Sequence, residues 1–318
     1  MRLLITGAWK CSEKAVGALE NAGYETVFMQ DEKSEIPVFP ESIDAVVCNG
    51  LFLYHGIEKF SRLKIVQLTS AGFDRIPMDQ IKTNGIALFG AGDVYSHPIA
   101  ETVIGGVLQL YREFEFFSEN RKKHLWEKKR TLRQLGGKKI CVIGCGSIGK
   151  RTAKLFSAFG CCVYGVDLKK LTDENFVDIF PPQEMKAALG NADVTVVTVP
   201  LTDENYHLMD KSVFAAMKPG SIFVNVSRGA VADEDALAEA LEKRLGGAVL
   251  DVFEREPLSP ESKLWELPNV IIIPHCAFIS DRNHEELEAV ILKNLLSVVK
   301  VTEKSDNKSC DAGQEKIP

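Results

Sequence analysis

Short runs of apolar and β-branched residues alternate with longer helical stretches along nearly the whole chain. Such alternation is typical of parallel α/β folds, because each strand needs a crossover helix that covers one face of the sheet. We therefore predict an α/β fold built from doubly wound parallel sheets. The predicted strands are 3–6, 25–28, 44–48, 65–69 and 86–89 in a first set, and 139–143, 162–167, 177–180, 194–199, 222–226, 248–252 and 270–273 in a second.

Helical stretches connect and close these two sets. A helix over 12–22 is expected to begin at Ser12, a good N-cap residue, and to stop before Gly23. Residues 100–117 contain no proline and are predicted to form one long helix. Further helices are predicted at 150–159 and at about 281–300, and the polar tail 302–318 is predicted to be disordered.

Composition places the chain among ordinary globular proteins. Of its 318 residues, 45% are hydrophobic and 26% are charged, and the net charge is −6. General affinity for nucleic acid or for anionic membranes is therefore not expected. Segment 119–139 holds nine Lys or Arg against two Glu. We interpret it as a solvated face or a subunit contact rather than a nucleic-acid patch, given the acidic whole.

No apolar stretch approaches the roughly 18 residues that a membrane span requires, so no membrane association is expected. The first residues are expected to form a buried strand and not a secretory signal. Eight cysteines are scattered without a C-x-x-C pair, so zinc-ribbon and thioredoxin-like functions have no support and no metal is expected. The sequence predicts a reducing, cytoplasmic compartment.

A glycine-rich motif stands between the first strand of the second set and the following helix. Residues 144–149 read Gly-Cys-Gly-Ser-Ile-Gly, the spacing G-x-G-x-x-G. The first glycine allows a tight turn, the second lets a pyrophosphate approach the backbone, and the third lets the helix pack on the strand. A plain strand–helix turn is the ordinary alternative. The context favours a dinucleotide site, with these candidate residues: Gly144, Gly146, Ser147, Ile148 and Gly149.

Asp167 ends the next strand, 18 residues beyond Gly149. A carboxylate at this position accepts hydrogen bonds from ribose hydroxyls and repels a 2′-phosphate, so we predict NAD and not NADP as cofactor. Lys169 and Lys170 act in the opposite direction, because ammonium groups favour a phosphate.

Three candidate catalytic residues follow later strands of the second set, at the edge where open α/β sheets bind ligands. Arg228 offers a permanent, bidentate cation for a carboxylate. Glu256 stands in a loop stiffened by Pro257, and Glu254 is a competitor for its role. His275 follows a proline at a strand end and can exchange a proton near neutral pH.

Each of the three also has an ordinary structural explanation. An arginine can serve a salt bridge, a glutamate can be solvated at the surface, and a histidine can be a satisfied structural residue. Their coincidence downstream of a dinucleotide motif favours a hydride-transfer site. In such a site the cation holds the substrate, the imidazole moves a proton, and the carboxylate orients the imidazole and favours its charged form.

Together these motifs resemble the D-isomer-specific 2-hydroxyacid dehydrogenases. The resemblance extends from about residue 100 to residue 275, and it is looser in the N-terminal third at 70–74 and 99–101. The segments that carry it are 144–149, 199–202, 226–230, 251–258 and 268–275.

The resemblance implies a two-domain oxidoreductase that uses NAD and a small 2-keto or 2-hydroxy acid. Both domains would be Rossmann-like or flavodoxin-like, with the NAD-binding domain, 99–276, inserted into a substrate-binding domain formed by 1–98 and completed by 277–301. The usual assembly would be a homodimer. The implied site consists of catalytic Arg228, Glu256 and His275, of Pro200 and Asp251 at the cofactor, and of Ser70, Ala71 and Gly72 at the substrate carboxylate.

The sequence departs from the family pattern near the expected pocket. Phe278 replaces a small residue after the catalytic histidine, and 93–98 replaces the usual run at the domain crossover. Tyr95 and His97 in that run are therefore candidates to shape the pocket, and His97 is a second candidate histidine, although His275 is preferred.

The substrate itself stays open. Glyoxylate or hydroxypyruvate reductases, D-3-phosphoglycerate dehydrogenase and phosphite dehydrogenase all fit, whereas a formate dehydrogenase usually has an amide in place of Glu256. A phosphorylated substrate would need cations, and Arg75 is the obvious one near Gly72. From another class, an NAD(H)-sensing corepressor-like binding protein on the same fold is the alternative, because fold does not fix function.

Overall fold

A computed structural model describes the backbone of residues 1–310 and the side chains of residues 1–299. Contacts divide the chain into two compact units. Unit 2 is Tyr95–Ile279, and unit 1 is Met1–Val94 together with the segment that begins at Ser280. These borders fall near the predicted ones at 98/99 and 276/277. The assignment of substrate binding to unit 1 stays a prediction.

Unit 1 contains a five-stranded parallel sheet. Its strands are β1 (Arg2–Thr6), β2 (Glu25–Met29), β3 (Ala45–Cys48), β4 (Ile65–Leu68) and β5 (Ala87–Phe89), and its first helices are α1 (Glu13–Asn21) and α2 (Met78–Thr83). The strand order is β2-β1-β3-β4-β5, as in flavodoxin-like sheets. Strands β3 and β4 are buried along their whole length, which explains the continuous apolar sequence of β3 and the single polar residue, Gln67, of β4. As predicted, Ser12 caps α1, accepting a hydrogen bond from Ala15 N.

Unit 2 contains a seven-stranded parallel sheet. Its strands are β6 (Lys139–Ile143), β7 (Cys162–Val166), β8 (Asp178–Phe180), β9 (Val194–Val197), β10 (Ile222–Asn225), β11 (Gly247–Leu250) and β12 (Val270–Ile272). The order is β12-β11-β10-β9-β6-β7-β8, so the winding direction reverses between β6 and β9. That reversal is where open α/β sheets form a ligand crevice, at the carboxyl ends of the strands.

Helices cover both faces of this sheet, so two separate hydrophobic clusters form. The helices of unit 2 are α3 (Ser96–Tyr111), α4 (Phe114–Lys122), α5 (Ser147–Ala158), α6 (Met185–Asn191), α7 (Lys211–Ala216) and α8 (Glu234–Lys243). One cluster includes Leu189, Phe214 and Leu237 from α6, α7 and α8. The other includes Val103 from α3 and Phe156 from α5. The predicted doubly wound α/β architecture is thus confirmed.

The prediction of a single helix over 100–117 is wrong. The chain leaves helical geometry at Glu113, whose φ is +50°, between the end of α3 and the start of α4. The carboxylate of Glu113 accepts a hydrogen bond from Thr131 Oγ1 at 2.8 Å and pairs with Lys129 Nζ at 3.0 Å. These contacts come from far along the chain, and no Gly or Pro marks the break locally.

The last helix, α9 (Asn283–Cys310), belongs to unit 1. Leu295 O accepts a hydrogen bond from Tyr24 Oη at 3.0 Å, and Asn294 Nδ2 donates to Gln67 Oε1 at 2.9 Å. The helix starts near the predicted residue 281 but continues past residue 300, into the predicted disordered tail 302–318. Residues 311–318 of that tail lie outside the described part of the chain.

Within the described residues, no helix combines the length and the apolar character needed to traverse a lipid bilayer.

Candidate active site

The glycine-rich loop connects β6 to α5 at the switch point of the unit 2 sheet. Gly144 has φ +93°, a conformation that favours glycine. A Cβ on Gly149 would overlap Gly144 O, so the third glycine is required for the turn to close. Thr198, which follows β9, donates its hydroxyl to Gly144 O at 2.6 Å and fixes the loop from the neighbouring strand.

The middle of the loop is open. A Cβ on Gly146 would meet no other atom within 4 Å, and both Gly146 and Ser147 are exposed at the start of α5. Ile148 is half-buried against the adjoining core. The N-terminal N–H groups of a helix attract phosphate. The loop therefore fits a dinucleotide pyrophosphate on its geometry as well as on its sequence.

Asp167 lies just beyond the end of β7, beside this loop. Its Oδ2 accepts a hydrogen bond from Cys145 N at 2.8 Å, and its Oδ1 accepts one from Lys169 N at 2.9 Å. The carboxylate is thus anchored to the glycine loop itself, and its role at the ribose of a bound dinucleotide stays a prediction. Pro200 lies in the exposed loop after β9, where its carbonyl accepts from Asn205 Nδ2.

The three candidate catalytic residues follow three adjacent strands. Arg228 comes after β10, Glu256 after β11 and His275 after β12, and these strands are neighbours in the sheet. Since parallel strands end at the same edge, the three loops lie side by side. The structure therefore gathers on one sheet edge residues that are far apart in sequence.

His275 and Glu256 are in direct contact. The distance from His275 Nδ1 to Glu256 Oε2 is 2.7 Å, within charge-assisted hydrogen-bond range. About a third of each side chain is exposed, 34% for the histidine and 36% for the glutamate. With Nδ1 engaged by the carboxylate, Nε2 is the ring nitrogen left to exchange a proton with a substrate.

Backbone hydrogen bonds hold His275 in an uncommon conformation. Its φ is +48°, in the left-handed region, and its N–H donates to Asp251 O at 2.8 Å and to Ile273 O at 3.0 Å. Few non-glycine residues adopt this conformation without support from their surroundings. The loop geometry, and not only the Glu256 contact, thus sets the direction of the imidazole.

Asp251 is the buried anchor of this loop, with 3% of its surface exposed. Its Oδ1 accepts hydrogen bonds from Cys276 N at 2.8 Å and from Ala277 N at 2.9 Å. Burial raises the pKa of the Asp251 carboxyl above its ordinary value, against the opposing effect of the two N–H groups and of His275. The residue that the family resemblance predicts at the cofactor therefore also holds the backbone next to His275.

Arg228 is supported by a buried asparagine. Asn225 Nδ2 donates to Arg228 O at 3.0 Å, and Asn225 Oδ1 accepts from Ser227 N and Ser227 Oγ. The guanidinium Nη1 donates to Ser227 O at 2.8 Å. A compact turn therefore projects the arginine from the end of β10.

The sequence left Glu254 and Glu256 as competitors, and the structure separates them. Glu256 contacts His275, whereas Glu254 Oε1 lies 3.1 Å from His207 Nε2. Glu256 Oε1 also accepts a hydrogen bond from Phe253 N at 3.1 Å, which orients its carboxylate. Glu256 is therefore the partner of His275, as predicted from the sequence.

Aromatic rings adjoin the imidazole. The ring of Phe278 lies edge-on to His275 at 6.2 Å and to Tyr95 at 5.6 Å between centroids. Burial raises the pKa of the Tyr95 hydroxyl. His97 is exposed in the first turn of α3. The ring of Phe278 thus lies next to both His275 and Tyr95.

The residues predicted to bind the substrate carboxylate lie in unit 1, in the loop after β4. Ser70 Oγ donates to Gly72 O at 3.0 Å, and Ser70 O accepts a hydrogen bond from Ala91 N at 3.0 Å. Ala71, between them, is exposed. The loop is thus tied to the segment that follows β5, and its role at the substrate stays a prediction.

Sequence reasoning missed Asn225, Thr198 and Gly229. Asn225 and Thr198 are polar residues at the ends of apolar strands. This pattern indicates a side chain that forms hydrogen bonds with the backbone of a loop, as both do here. Gly229 packs against the Phe253–Glu254 peptide, a contact between distant loops that left no local signal.

A doubly wound sheet with a phosphate-accepting glycine loop, and an imidazole–carboxylate pair at the same edge, defines a dinucleotide-dependent oxidoreductase. Comparison with known proteins makes the class more specific. Residues 104–277 match the family "D-isomer specific 2-hydroxyacid dehydrogenase, NAD binding domain". The chain belongs to this family, and it is an oxidoreductase that moves a hydride between NAD(H) and C2 of a small 2-hydroxy or 2-keto acid.

Relatives agree with this assignment. A hydroxyphenylpyruvate reductase of Plectranthus scutellarioides is 32% identical over 80% of this chain and 82% of its own length. A glyoxylate reductase of Thermofilum pendens is 29% identical over 86% and 80%, respectively. A crystal structure of D-lactate dehydrogenase from Aquifex aeolicus, complexed with NAD and lactic acid, has a TM-score of 0.75 at 26% identity and covers 98% of both chains. These relatives do not favour the corepressor-like alternative.

Proposed function

We propose that this chain reduces a small, unphosphorylated 2-keto acid with NADH, using Arg228, Glu256 and His275 as its catalytic residues. The observation that carries the proposal is the 2.7 Å contact between His275 Nδ1 and Glu256 Oε2, on the sheet edge that also carries Arg228 and the glycine loop. When bound, the dinucleotide supplies the hydride that reaches the keto carbon.

His275 is the proton donor in this proposal. The Glu256 carboxylate holds Nδ1 and stabilises the protonated ring, so Nε2–H can protonate the substrate oxygen as negative charge grows there. In the oxidising direction, the neutral ring removes the same proton. Arg228 binds the substrate carboxylate and polarises the adjacent carbonyl with its fixed guanidinium fork.

The backbone of Ser70, Ala71 and Gly72 in unit 1 is also proposed to bind the substrate carboxylate. Names of relatives support glyoxylate and hydroxypyruvate as the substrate class: the Thermofilum pendens protein is a glyoxylate reductase, and a relative from Pectobacterium carotovorum is a glyoxylate/hydroxypyruvate reductase. A phosphate group binds best to several donors, and Arg75 is the obvious cation of this loop. We therefore propose an unphosphorylated substrate.

Steady-state NADH oxidation with glyoxylate, hydroxypyruvate, pyruvate, a branched keto acid and 3-phosphohydroxypyruvate tests this function. We expect kcat/KM to be highest with glyoxylate or hydroxypyruvate, and we expect His275→Ala to lower it by roughly 10²–10⁴-fold. Tight NADH binding without turnover of any acid would contradict the proposal and favour a binding protein.

NAD is the proposed cofactor because the Asp167 carboxylate, held beside the glycine loop by Cys145 N, would repel a 2′-phosphate. Asp167→Ser should raise kcat/KM with NADPH relative to NADH, since the charge that repels a 2′-phosphate is gone. Lys169→Ala is the opposite test, because it removes a charge that favours a phosphate, and it should lower kcat/KM with NADPH relative to NADH. An unchanged cofactor ratio in Asp167→Ser would contradict this role.

A homodimer in a reducing, cytoplasmic compartment is proposed as the working state. Trp126 is 98% exposed and Phe114 is 56% exposed, and large apolar side chains exposed to this degree support an interface in this region of the sequence. The seven cysteines whose side chains are described are unpaired, as expected of a reduced protein. Sedimentation of the wild type and of Trp126→Glu tests the dimer, which should weaken in the variant.

A further inference from the structure

Two histidine–glutamate pairs share one loop. Glu256 contacts His275, and Glu254, two residues earlier, contacts His207 at 3.1 Å. Both histidines have left-handed backbone, with φ +48° at His275 and +50° at His207. The first pair belongs to the proposed proton transfer, whereas the second has no role in it so far.

Glu254 is the centre of a reciprocal set of hydrogen bonds. Its Oε1 accepts from Glu234 N at 3.1 Å, at the start of α8, as well as from His207. In return, Glu254 N donates to Glu234 Oε1 at 2.5 Å. Burial raises the pKa of Glu234, and the charges of Glu254 and Glu256 add to this effect, in keeping with the proximity of the three carboxylates.

His207 also connects this set to the loop that carries Arg228. His207 N donates to Ala230 O at 2.9 Å, and Met209 N donates to Val231 O at 2.9 Å. The His207 segment follows β9, so the network joins the loops after β9, β10 and β11. Its members lie on the same edge as the candidate catalytic residues.

A continuous chain of contacts leads from the network to the imidazole. Glu234 and His207 hold Glu254, whose peptide bond joins it to Phe253. Phe253 N donates to Glu256 Oε1 at 3.1 Å, and Glu256 Oε2 reaches His275 at 2.7 Å. A displacement of the Phe253–Glu254 peptide would therefore move the carboxylate that orients His275.

We propose that His207, Glu234 and Glu254 are positioning residues that hold Glu256 in place to orient His275 for proton transfer. This inference rests on the proposed function, in which His275 moves the proton. Loss of the network releases the loop, so Glu256 is in contact with His275 for a smaller fraction of the time. Misplacement of a catalytic group by about 1 Å costs roughly 10²-fold in rate, so partial release predicts a loss of about tenfold or more.

Paired variants of Glu254 and His207 test the inference. Glu254→Ala removes the acceptor, whereas Glu254→Gln keeps an oxygen for Glu234 N and His207 but removes the charge. His207→Ala and His207→Gln form the second pair, because the glutamine amide can take the place of Nε2. For each variant, kcat and KM for keto-acid reduction are measured across pH, with NADH affinity from fluorescence titration and thermal unfolding alongside.

We expect both alanine variants to lose about tenfold in kcat, with the pH above which reduction falls off moved to lower values. NADH affinity should stay within about twofold of the wild type, and both glutamine variants should recover most of the rate and the pH profile. Wild-type kcat and pH profile in the alanine variants would overturn the inference. Equal defects in Gln and Ala variants would overturn it too, because they would indicate charge and not position.

The wild type and Glu256→Gln are assayed in the same series. If the wild type reduces keto acids and Glu256→Gln is defective while Glu254→Ala and His207→Ala are normal, the inference alone fails. If the wild type reduces no keto acid, the proposed function fails and the inference falls with it. Should Glu254→Ala not fold, the His207 pair decides, since that side chain is partly exposed and its loss removes less packing.

Discussion

Gly229 lies directly against the peptide that joins Phe253 to Glu254, with no space for a methyl group between them. The loop that carries Arg228 is thus in contact with the loop that carries Glu256, the partner of His275. Close approach of two backbones is a position where glycine is required.

Gly229→Ala should therefore separate the two loops. Insertion of a methyl group at a packed site costs about 1–3 kcal/mol, so the free energy of unfolding should fall by this amount and kcat/KM should fall with it. Urea unfolding and keto-acid reduction measure the two effects. Gly105→Ala in α3 is the control, because a Cβ there meets no atom within 4 Å and alanine favours a helix. Equal stability of the two variants would contradict the prediction.

Glu256→Gln should change the pH dependence of reduction more than its maximum. The amide still accepts a hydrogen bond from His275 Nδ1, but it no longer stabilises the charged ring. Without that stabilisation, kcat/KM above neutral pH should fall by roughly 10²-fold. The measurement is the pH–rate profile of keto-acid reduction with saturating NADH. A profile that keeps its wild-type position would exclude Glu256 as the functional partner of His275.

Asp251→Asn should remove a pH-dependent penalty on stability. The folded-state pKa of Asp251 is raised, so the unfolded chain ionises first as pH rises and the wild type loses stability above the ordinary carboxyl value of about 4. Asparagine keeps an oxygen for Cys276 N and Ala277 N, because both bond to Oδ1.

The difference in unfolding free energy between Asp251→Asn and the wild type should consequently shift in favour of the variant from about pH 4 upward. Urea unfolding without cofactor at several pH values measures it, and the subtraction cancels the other titrating groups. A difference that does not vary with pH would argue against an unfavourable ionisation at this site.

Alanine substitution at two glycines of the dinucleotide loop should affect two different properties, NADH affinity at Gly146 and stability at Gly149. Gly146→Ala has space for its Cβ and normal backbone angles, so stability should be unchanged while NADH affinity falls by roughly tenfold or more, as the methyl occupies the phosphate approach. Gly149→Ala should destabilise the fold, because its Cβ overlaps Gly144 O. NADH fluorescence titration and thermal unfolding separate the two effects. Undiminished NADH binding by Gly146→Ala would place the pyrophosphate elsewhere.

Much of the fold was predictable because parallel strands buried on both faces have a strong sequence pattern. Strand β3 is Ala-Val-Val-Cys and is buried throughout, and every predicted strand overlaps an observed one. The helix break at Glu113 was not predictable, because distant residues stabilise it: Thr131 and Lys129 bind its carboxylate. Helix propensity depends on the local sequence and does not include contacts with such residues.

The candidate site divides in the same way. The sequence predicted the pair of Glu256 with His275 from residue chemistry and strand ends. It kept Glu254 as a competitor of Glu256, and only the folded backbone shows that the two side chains point to different histidines. Gly229 was equally hidden, since its requirement for glycine comes from a peptide 24 residues further along the chain.

Unit 1 takes its first five strands from the beginning of the chain and helix α9 from near its end. The Tyr24 hydroxyl therefore has no partner during synthesis until Leu295 has left the ribosome, whereas all of unit 2 has emerged by residue 279. Unit 2 is thus complete during translation before unit 1, whose sheet lacks helix α9 until the end of synthesis. A nascent chain arrested before α9 should be open to proteases and chaperones in its oldest segment, the reverse of the usual vectorial order.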